Sequence, residues 1–164
     1  MLKTPLIVIN LKRYEEVLGD KPVKFAKVAK KLSKKYKVNI VIAPPESMLE
    51  NISKIIPTVS QHMDPFEPGA HTGSILAREI KELGAIGSII NHSEKRIPHE
   101  DIQKCVELCR KYDLISIVCV KDCPEAKELA IFNPDFIAIE PPELIGGDIS
   151  VSTAQPDIIK TAVN

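Results

Sequence analysis

Three polar residues follow apolar, β-branched runs and have side chains suited to acid–base or electrostatic catalysis. They are Lys12 after "LIVIN", His92 at the end of "SIINH" and Glu140 at the end of "FIAIE". A lysine there can hold a phosphate and stabilise an oxyanion, and the neighbouring Asn10 can donate to the same charge. A carboxylate on a rigid strand among apolar neighbours can act as a base near neutral pH. A surface lysine in a loop and a rim salt bridge of Glu140 are the ordinary alternatives.

The segment "NHSEKR" places His92 just before residues that can open a short helical turn. Free N–H groups at a helix N-terminus disfavour an imidazolium, so His92 is expected to act as a neutral hydrogen-bond donor. Ser93 is a candidate cap for the turn, and Glu94 a candidate partner of Lys12 or of a neighbouring main chain. A polar strand-end histidine with a capping role is the alternative.

The segment that follows Glu140 differs from an ordinary loop between a strand and a helix. Two prolines fix the backbone at its start, two apolar residues stand at its centre, and a Gly-Gly pair frees the backbone at its end. A stiff apolar tip between two hinges is typical of a lid that closes over a substrate. The predicted lid residues are Pro141, Pro142, Glu143, Leu144, Ile145, Gly146 and Gly147.

A second unusual loop runs from Gln61 to the region of Ile75 and contains two prolines and two glycines. Its length, with Thr72 and Gly73 at the tip, predicts that it protrudes and docks elsewhere, for example on a second subunit. A plain ordered loop is the alternative.

Six short apolar runs alternate with helical patterns along the chain. The predicted strands are "LIVIN", "NIVIA", "TVSQH", "SIINH", "ISIVCV" and "FIAIE", and the predicted helices are "KFAKVAKKLSKKYK", "MLENISKII", "SILAREIKELG", "HEDIQKCVELCRKY" and "PEAKELAIF". Such alternation predicts a parallel sheet with right-handed crossovers. Polar residues at the ends of four different strands favour a (β/α)8 barrel, whose strand ends share one mouth, over an open sheet.

The chain is shorter than a complete barrel. From Asn10 to Glu140 one unit averages about 26 residues, and eight such units need roughly 210 residues. The chain has 164 residues and finishes in "AQPDIIKTAVN", which is typical of the helix after strand six. The prediction is therefore one α/β domain over residues 1–164, C-terminally incomplete, with six of eight β/α units. Six strands alone would leave exposed edges.

Composition limits the classes of partner. Lys+Arg and Asp+Glu both total 22, and this balance argues against nucleic acid, since polyanion-binding proteins usually carry a basic excess. No apolar run reaches the roughly 20 residues that cross a bilayer, so no membrane contact is expected. The start "MLKTPLIVIN" lacks the features of a signal peptide, and the protein is expected to be cytoplasmic.

The lysine-rich helix pattern carries an apolar stripe at helical spacing, formed by Phe25, Val28, Ala29, Leu32 and Tyr36. The stripe is expected to face the core and the lysines to form a solvated outer face, although a nucleic-acid or membrane patch is an alternative.

Four cysteines form two C-x-x-x-C pairs, which differ from the C-x-x-C spacing of zinc knuckles. Cys105 and Cys109 share the apolar face of a predicted helix, and Cys119 lies inside an apolar strand. Core packing is therefore predicted for these thiols, with no metal site.

Four motifs together carry a resemblance. "NLKRY", "QHMDPFEPGAHTG", "NHSEKR" and "EPPELIGG" resemble, in order and spacing, the motifs of the triosephosphate isomerase family, most closely its short archaeal form. The resemblance runs from Leu6 to the end of the chain. It implies interconversion of dihydroxyacetone phosphate and D-glyceraldehyde 3-phosphate, a step of glycolysis and gluconeogenesis, without metal or cofactor.

The resemblance also implies roles for individual residues. Glu140 would be the catalytic base of an enediolate mechanism and His92 its neutral electrophile, a pairing of which this family is itself a standard example. Lys12 would stabilise the negative charge and help to hold the phosphate, with Asn10 lining the site. Glu94 would support Lys12 from behind. Residues 141–147 would form the lid.

Further roles concern binding and assembly. Gly146 would offer a backbone N–H to the phosphate. The loop over residues 63–73 would reach across a subunit interface, with Thr72 near the partner's site, which implies a homodimer or homotetramer.

Two departures from the family pattern stand out. Gly147 and Asp148 stand where the family shows Thr-Gly, which loosens the lid hinge and adds negative charge near the expected phosphate. The last two strands, whose glycine-rich loops complete the phosphate site in such barrels, are missing. Two alternatives stay open: another phosphate-binding barrel isomerase, and a catalytically inactive truncated barrel that acts as an oligomerising or scaffold fragment.

Overall fold

The computed structural model describes residues 4–141 and residue 161. The strands are β1 Leu6–Asn10, β2 Asn39–Ala43, β3 Val59–Ser60, β4 Gly87–Ile90, β5 Ile115–Val120 and β6 Phe136–Ile139. The helices are α1 Lys21–Tyr36, α2 Leu49–Ser53, α3 Ala77–Glu82, α4 His99–Lys111 and α5 Cys123–Ala130. Short 3-10 turns span Glu15–Val17 and Glu46–Met48. No helix in this part of the chain is long and apolar enough to cross a membrane.

The strands are parallel and neighbour one another in chain order. β1 pairs with β2, and β3 to β6 form a four-stranded sheet. A parallel bridge between Ile42 and Thr58 joins the two sheets. The predicted parallel β/α order is therefore confirmed over six strands, and their carboxyl ends lie along one rim. The helix predicted in residues 154–164 lies outside the described residues, Thr161 excepted.

Two helices are shorter than the sequence indicated. The helix predicted from Ser74 begins at Ala77, because Ile75 is tied into the preceding loop. The Ile75 carbonyl accepts from the Asp64 N–H at 2.8 Å, and the Ile75 N–H donates to Asp64 Oδ2 at 2.7 Å. The helix predicted over residues 48–56 is helical only to Ser53, and β3 ends at Ser60 instead of His62.

The main core lies between α3, α4 and the outer face of the four-stranded sheet. Ile90 and Val118 contribute from the strands, and Ile102 and Val106 from α4. Alternate strand residues point to the opposite face, where Ile89, Ile117 and Cys119 form another buried cluster with β2 residues. Both faces of β4 and β5 are thus buried, which explains their near-continuous apolar sequence.

The cysteine prediction is confirmed for three thiols. Cys105, Cys109 and Cys119 are buried, and the Cys109 sulfur lies 3.4 Å from the Met63 sulfur. Burial raises the pKa of Cys109 to about 12, so this thiol stays protonated and acts as a small hydrophobe.

The predicted core stripe of α1 is wrong for its large residues. Phe25, Val28, Leu32 and Tyr36 are 39% to 62% exposed. The buried positions of α1 are Pro22, Ala26 and Ala29, so only Ala29 of the predicted stripe faces inward. Small side chains let α1 approach β2 closely, and the larger apolar residues lie on the side that faces solvent. Ile7 and Val8 of β1 are also exposed.

Candidate functional site

The carboxyl ends of β1, β3 and β4 surround a cavity of about 500 Å³. The cavity brings together Lys12, His92 and Glu94, as the sequence predicted. Its lining is formed by Asn10, Lys12, Arg13, Tyr14, Glu46, Gln61, His62, Ile75, His92, Glu94 and Lys95.

Lys12 is held in place through its backbone. Its φ of 52° lies in the left-handed region, which an unbranched non-glycine residue occupies only when its surroundings fix it. The Lys12 N–H donates to Asn10 Oδ1 at 3.0 Å. Gln61 Nε2 donates to the Lys12 carbonyl at 3.1 Å and to the Ala43 carbonyl of β2 at 3.0 Å. Two amide side chains therefore clamp the backbone of this lysine.

The Lys12 ammonium donates to Glu94 Oε1 at 2.9 Å, so the predicted contact between these residues is present. The Lys12 and Glu94 side chains are 18% and 55% exposed. The hydrogen bond to Glu94 raises the pKa of Lys12 above its ordinary value and outweighs the opposing effect of burial. Lys12 is therefore a cation at neutral pH, with the Tyr14 ring 5.9 Å from Nζ.

His92 is held as one tautomer by a turn. The Lys95 N–H donates to the His92 carbonyl at 2.7 Å, which closes a single turn and not the predicted start of a helix. The Glu94 N–H donates to His92 Nδ1 at 3.1 Å. A ring nitrogen that accepts a hydrogen bond carries no proton, so the remaining proton of a neutral ring resides on Nε2. The tautomer of His92 is thus selected by the Glu94 N–H, and the predicted helix start after His92 is not formed.

Glu140 follows β6 and contacts the His92 turn. Its Oε2 accepts from the Ser93 N–H at 3.0 Å, and its Oε1 lies 3.1 Å from His92 Nε2. The Glu140 N–H donates to the Val120 carbonyl at 2.7 Å, which ties the residue to the end of β5. The base and the electrophile expected from the sequence therefore touch each other.

Two neighbours of Glu140 complete its surroundings. Burial, followed by the nearby Glu140 carboxylate, raises the pKa of Cys119 well above its ordinary value, and the thiol stays neutral. The Ser93 hydroxyl is buried and has no hydrogen-bond partner in the described part of the chain. The predicted capping role of its side chain is therefore wrong. Ser93 contributes through its main-chain N–H, which donates to Glu140.

The loop between β3 and α3 is ordered by its own contacts. Asp64 bonds Ile75 at the base, and the Phe66 and His71 rings stack with centroids 4.3 Å apart. Thr72 and Gly73 are exposed at the tip, where Gly73 has a φ of 85°. The loop therefore projects its predicted interface residues into solvent.

The buried His62 and the half-buried Asp64 join the base of this loop to the cavity. His62 Nε2 lies 3.2 Å from Asp64 Oδ1. Burial lowers the pKa of His62, against the effect of its hydrogen bond with Asp64. Burial alone would raise the pKa of Asp64, but the Ile75 N–H and His62 together hold it below its ordinary value.

Of the predicted lid, Pro141 is buried at the end of the described chain. Pro142, Glu143, Leu144, Ile145, Gly146 and Gly147, together with Asp148, lie outside the described residues.

Two amides in the site have no sequence signal beyond their position at the ends of strands. Gln61 clamps Lys12, and Asn91 bonds the end of β5 through Nδ2, which donates to the Cys119 carbonyl at 2.9 Å. Arg13 and Glu46 form an ion pair on the cavity rim that no sequence signal indicated. Within residues 4–141 and residue 161, no group of three His, Cys, Asp or Glu side chains is placed to hold a metal ion.

Comparison with known proteins gives one consistent family. The sequence model of triosephosphate isomerase matches residues 5–164. The triosephosphate isomerase of Methanothermus fervidus is 44% identical over 161 residues, which are 97% of this chain and 72% of the relative. That of Sulfurisphaera tokodaii is 44% identical over 99% of this chain and 72% of its own length.

Among solved structures, the triosephosphate isomerase of Bartonella henselae aligns with a TM-score of 0.58 at 25% identity. The alignment covers 76% of this chain and 55% of that protein, so the chain spans about half the length of the solved structure. The predicted fold class, a partial (β/α)8 barrel, is thereby confirmed.

Proposed function

The chain belongs to the triosephosphate isomerase family, a family of isomerases, and from that premise we propose that it carries the acid–base half of an active site. The reaction is interconversion of dihydroxyacetone phosphate and D-glyceraldehyde 3-phosphate, in glycolysis and gluconeogenesis. The observation that carries the proposal is the 3.1 Å contact between Glu140 Oε1 and His92 Nε2, on a ring whose Nδ1 accepts a main-chain hydrogen bond.

Glu140 acts as the base that moves a proton between the two carbons of the substrate. A distance of 3.1 Å to His92 leaves no room for a substrate carbon between them. The carboxylate therefore exchanges its hydrogen bonds to Ser93 and His92 for the substrate when the substrate enters. Because Glu140 is tied to β5 through its own N–H, a side-chain rotation is enough for this exchange.

His92 acts as a neutral donor to the substrate oxygens. Its Nε2–H, released from Glu140, points toward the position of a carbonyl that becomes an enediolate. A neutral donor that is already in place stabilises the negative charge that develops on the substrate oxygen, and it does so by hydrogen bonding. The Glu94 N–H on Nδ1 maintains this tautomer throughout.

Lys12 supplies the positive charge of the site. Its ammonium lines the cavity, is held by Glu94 and stays protonated at neutral pH. Placed beside the substrate, it stabilises negative charge on the enediolate and attracts the phosphate, and Asn10 orders its backbone. Gly146 and the lid complete the phosphate contacts in this proposal, which requires no cofactor and no metal.

We assign self-association to the ordered loop over residues 63–73. Its exposed tip, Thr72 and Gly73, and its stacked Phe66 and His71 suit a loop that docks as a rigid body on a second copy. The assembly is a homodimer or homotetramer of a single-domain barrel. We further propose a cytoplasmic location and an archaeal source.

A specific observation favours a second candidate function, a non-catalytic oligomerising or scaffold protein. Ile7 and Val8 of β1 and the apolar stripe of α1 are exposed, as expected of a surface that another polypeptide covers. In this case the site residues would be present without turnover.

The test is isomerase activity of the purified chain with both triose phosphates. If the proposal holds, Glu140→Gln lowers kcat by about 10³-fold, within the range that general base catalysis contributes. Glu128→Gln, an exposed glutamate on α5, is the matched control and leaves kcat unchanged. A folded, inactive wild-type chain supports the scaffold function, and equal activity of Glu140→Gln and wild type rejects the assigned base.

A further inference from the structure

Asn91 separates β4 from His92 and adopts an unusual backbone conformation. Its φ is 63°, in the left-handed region, and its side chain is 2% exposed. Asparagine is among the few side-chain-bearing residues that enter this region readily. The conformation turns the chain sharply out of the strand, so it decides the direction in which His92 leaves the sheet.

The Asn91 amide bonds on both of its sides. Nδ2 donates to the Cys119 carbonyl of β5 at 2.9 Å, and Oδ1 accepts from the Ile97 N–H at 3.0 Å. One buried side chain thus joins the start of the turn, the end of the turn and the neighbouring strand. A buried amide with both functions used is costly to replace, because each lost partner leaves an unpaired polar group.

Arg96 also ties the start of the turn to the end of β5. Its Nη1 donates to the Asn91 carbonyl at 3.0 Å and to the Cys119 carbonyl at 3.1 Å. The Glu125 carboxylate lies 3.8 Å from this nitrogen. The Cys119 oxygen therefore accepts from both Asn91 and Arg96, and the turn over residues 91–97 is fixed to the end of β5.

We propose that Asn91, supported by Arg96, is the positioning residue that sets the tautomer and direction of the His92 ring. The turn it fixes contains Glu94, whose N–H must point at His92 Nδ1 for the proton to stay on Nε2. If the turn loosens, Nδ1 loses its donor and the ring populates both tautomers. This inference rests on the proposed role of His92 for its consequence in catalysis but not for its structural content.

The experiment separates the backbone conformation of Asn91 from its amide. Asn91→Gly accepts the left-handed φ and lacks the amide, and Asn91→Ala lacks both. Asn91→Asp keeps the size but places an oxygen against the Cys119 carbonyl. Asn133→Gly is the matched control, since Asn133 has a φ of 56° and is exposed away from His92.

The first readout is the ¹⁵N resonances of the His92 ring in the whole chain. Wild type and Asn133→Gly should show a single Nε2–H tautomer. Asn91→Gly and Asn91→Asp should show Nδ1 and Nε2 resonances that move toward each other, with a larger change in Asn91→Ala. Unchanged His92 resonances in folded Asn91→Gly and Asn91→Asp overturn the proposal, even if activity falls.

The second readout is steady-state kinetics with both triose phosphates. Misplacement of His92 should lower kcat about tenfold to a hundredfold with little change in KM, because the ring acts on the reacting oxygens. Asn91→Gly should retain more activity than Asn91→Ala. If wild type is inactive but the ring resonances respond as expected, the positioning role stands and the proposed function fails. If wild type is active and the resonances do not respond, the proposed function stands and the positioning role of Asn91 fails.

Discussion

The two parallel sheets of this protein use the same kind of β/α unit with opposite results. In the sheet of β3 to β6, α4 buries Ile102, Cys105 and Val106 against the strands. In the sheet of β1 and β2, α1 buries only Pro22, Ala26 and Ala29 and leaves its large apolar residues exposed.

The difference comes from neighbours and not from helix pattern. α4 contacts α3 as well as β4 and β5, whereas α1 contacts β2, the short α2 and the 3-10 turn Glu15–Val17. A helix beside the outer strand of a sheet has a flank that no adjacent unit covers in the described chain. Apolar spacing therefore indicates a buried face only where the neighbours of that face are known.

The test with the largest expected effect truncates one buried side chain of the four-stranded sheet and one exposed side chain of α1. Ile90→Ala should lower the free energy of unfolding by about 3 kcal/mol, because a fully buried side chain leaves a cavity. Leu32→Ala, on the exposed stripe of α1, should cost roughly 0.5 kcal/mol. Urea unfolding followed by circular dichroism measures both. Equal losses would mean that the α1 stripe is buried in solution.

A second test adds a methyl group where β4 and β5 approach each other closely. A Cβ at Gly87 would lie 2.2 Å from the Ile115 carbonyl oxygen, so the strands must separate to accept it. Gly87→Ala should lower the free energy of unfolding by about 2 kcal/mol, the usual cost of overpacking. Gly69→Ala is the control, since its nearest neighbour would be the His71 side chain at 3.4 Å. A loss below that of the control would contradict the described strand spacing.

The third test measures how pH affects the stability of the loop between β3 and α3. His62 and Asp64 both have lowered pKa values in the fold, so the unfolded chain takes up each proton first as pH falls. Stability from His62 is present above its ordinary pKa of 6.5 and declines below it, and that from Asp64 declines only below 3.8. Protection of the Ile75 amide from hydrogen exchange should therefore decrease between pH 7 and pH 5.

In that experiment His62→Asn should remove the decrease, because asparagine does not titrate. Protection that stays constant in wild type from pH 7 to pH 5 would show that His62 does not stabilise the base of the loop.

The smallest expected effect on stability is at the exposed stripe. Leu32→Gln should leave the free energy of unfolding within about 0.5 kcal/mol while reducing self-association through exposed apolar surface. Sedimentation velocity measures the association, with the exposed Lys30→Gln on the same helix as control. Unchanged association would show that the α1 stripe takes no part in it.

The strands and the site were predictable for a local reason. Buried parallel strands leave near-continuous β-branched runs, and polar residues that interrupt the ends of such runs mark the carboxyl rim. The sequence therefore predicts that Lys12, His92 and Glu140 share one rim, and in the structure Glu140 contacts His92 while Lys12 contacts Glu94 of the same turn.

Other features depend on contacts far apart in the chain. The clamp from Gln61 to Lys12 spans 49 residues, and the bond from Asn91 to Cys119 spans 28. Nothing in the local sequence identifies such partners. A helix start was expected directly after His92, but the chain forms a single turn there and α4 begins only at His99, after Pro98.

The ties at the ends of the strands have a consequence for motion. The His92 turn is hydrogen-bonded to the Cys119 carbonyl of β5, and Glu140 to the Val120 carbonyl of the same strand. A displacement of β5 therefore moves His92 and Glu140 together and preserves their separation. Lys12 lies at the junction of the two sheets, beside the Ile42–Thr58 bridge, where Gln61 at the end of β3 donates to the Lys12 carbonyl and to the Ala43 carbonyl of β2. Relative movement of the two sheets therefore acts on the contacts of Lys12 and leaves the separation of Glu140 and His92 unchanged. In the proposed mechanism, this movement affects charge stabilisation and not proton transfer.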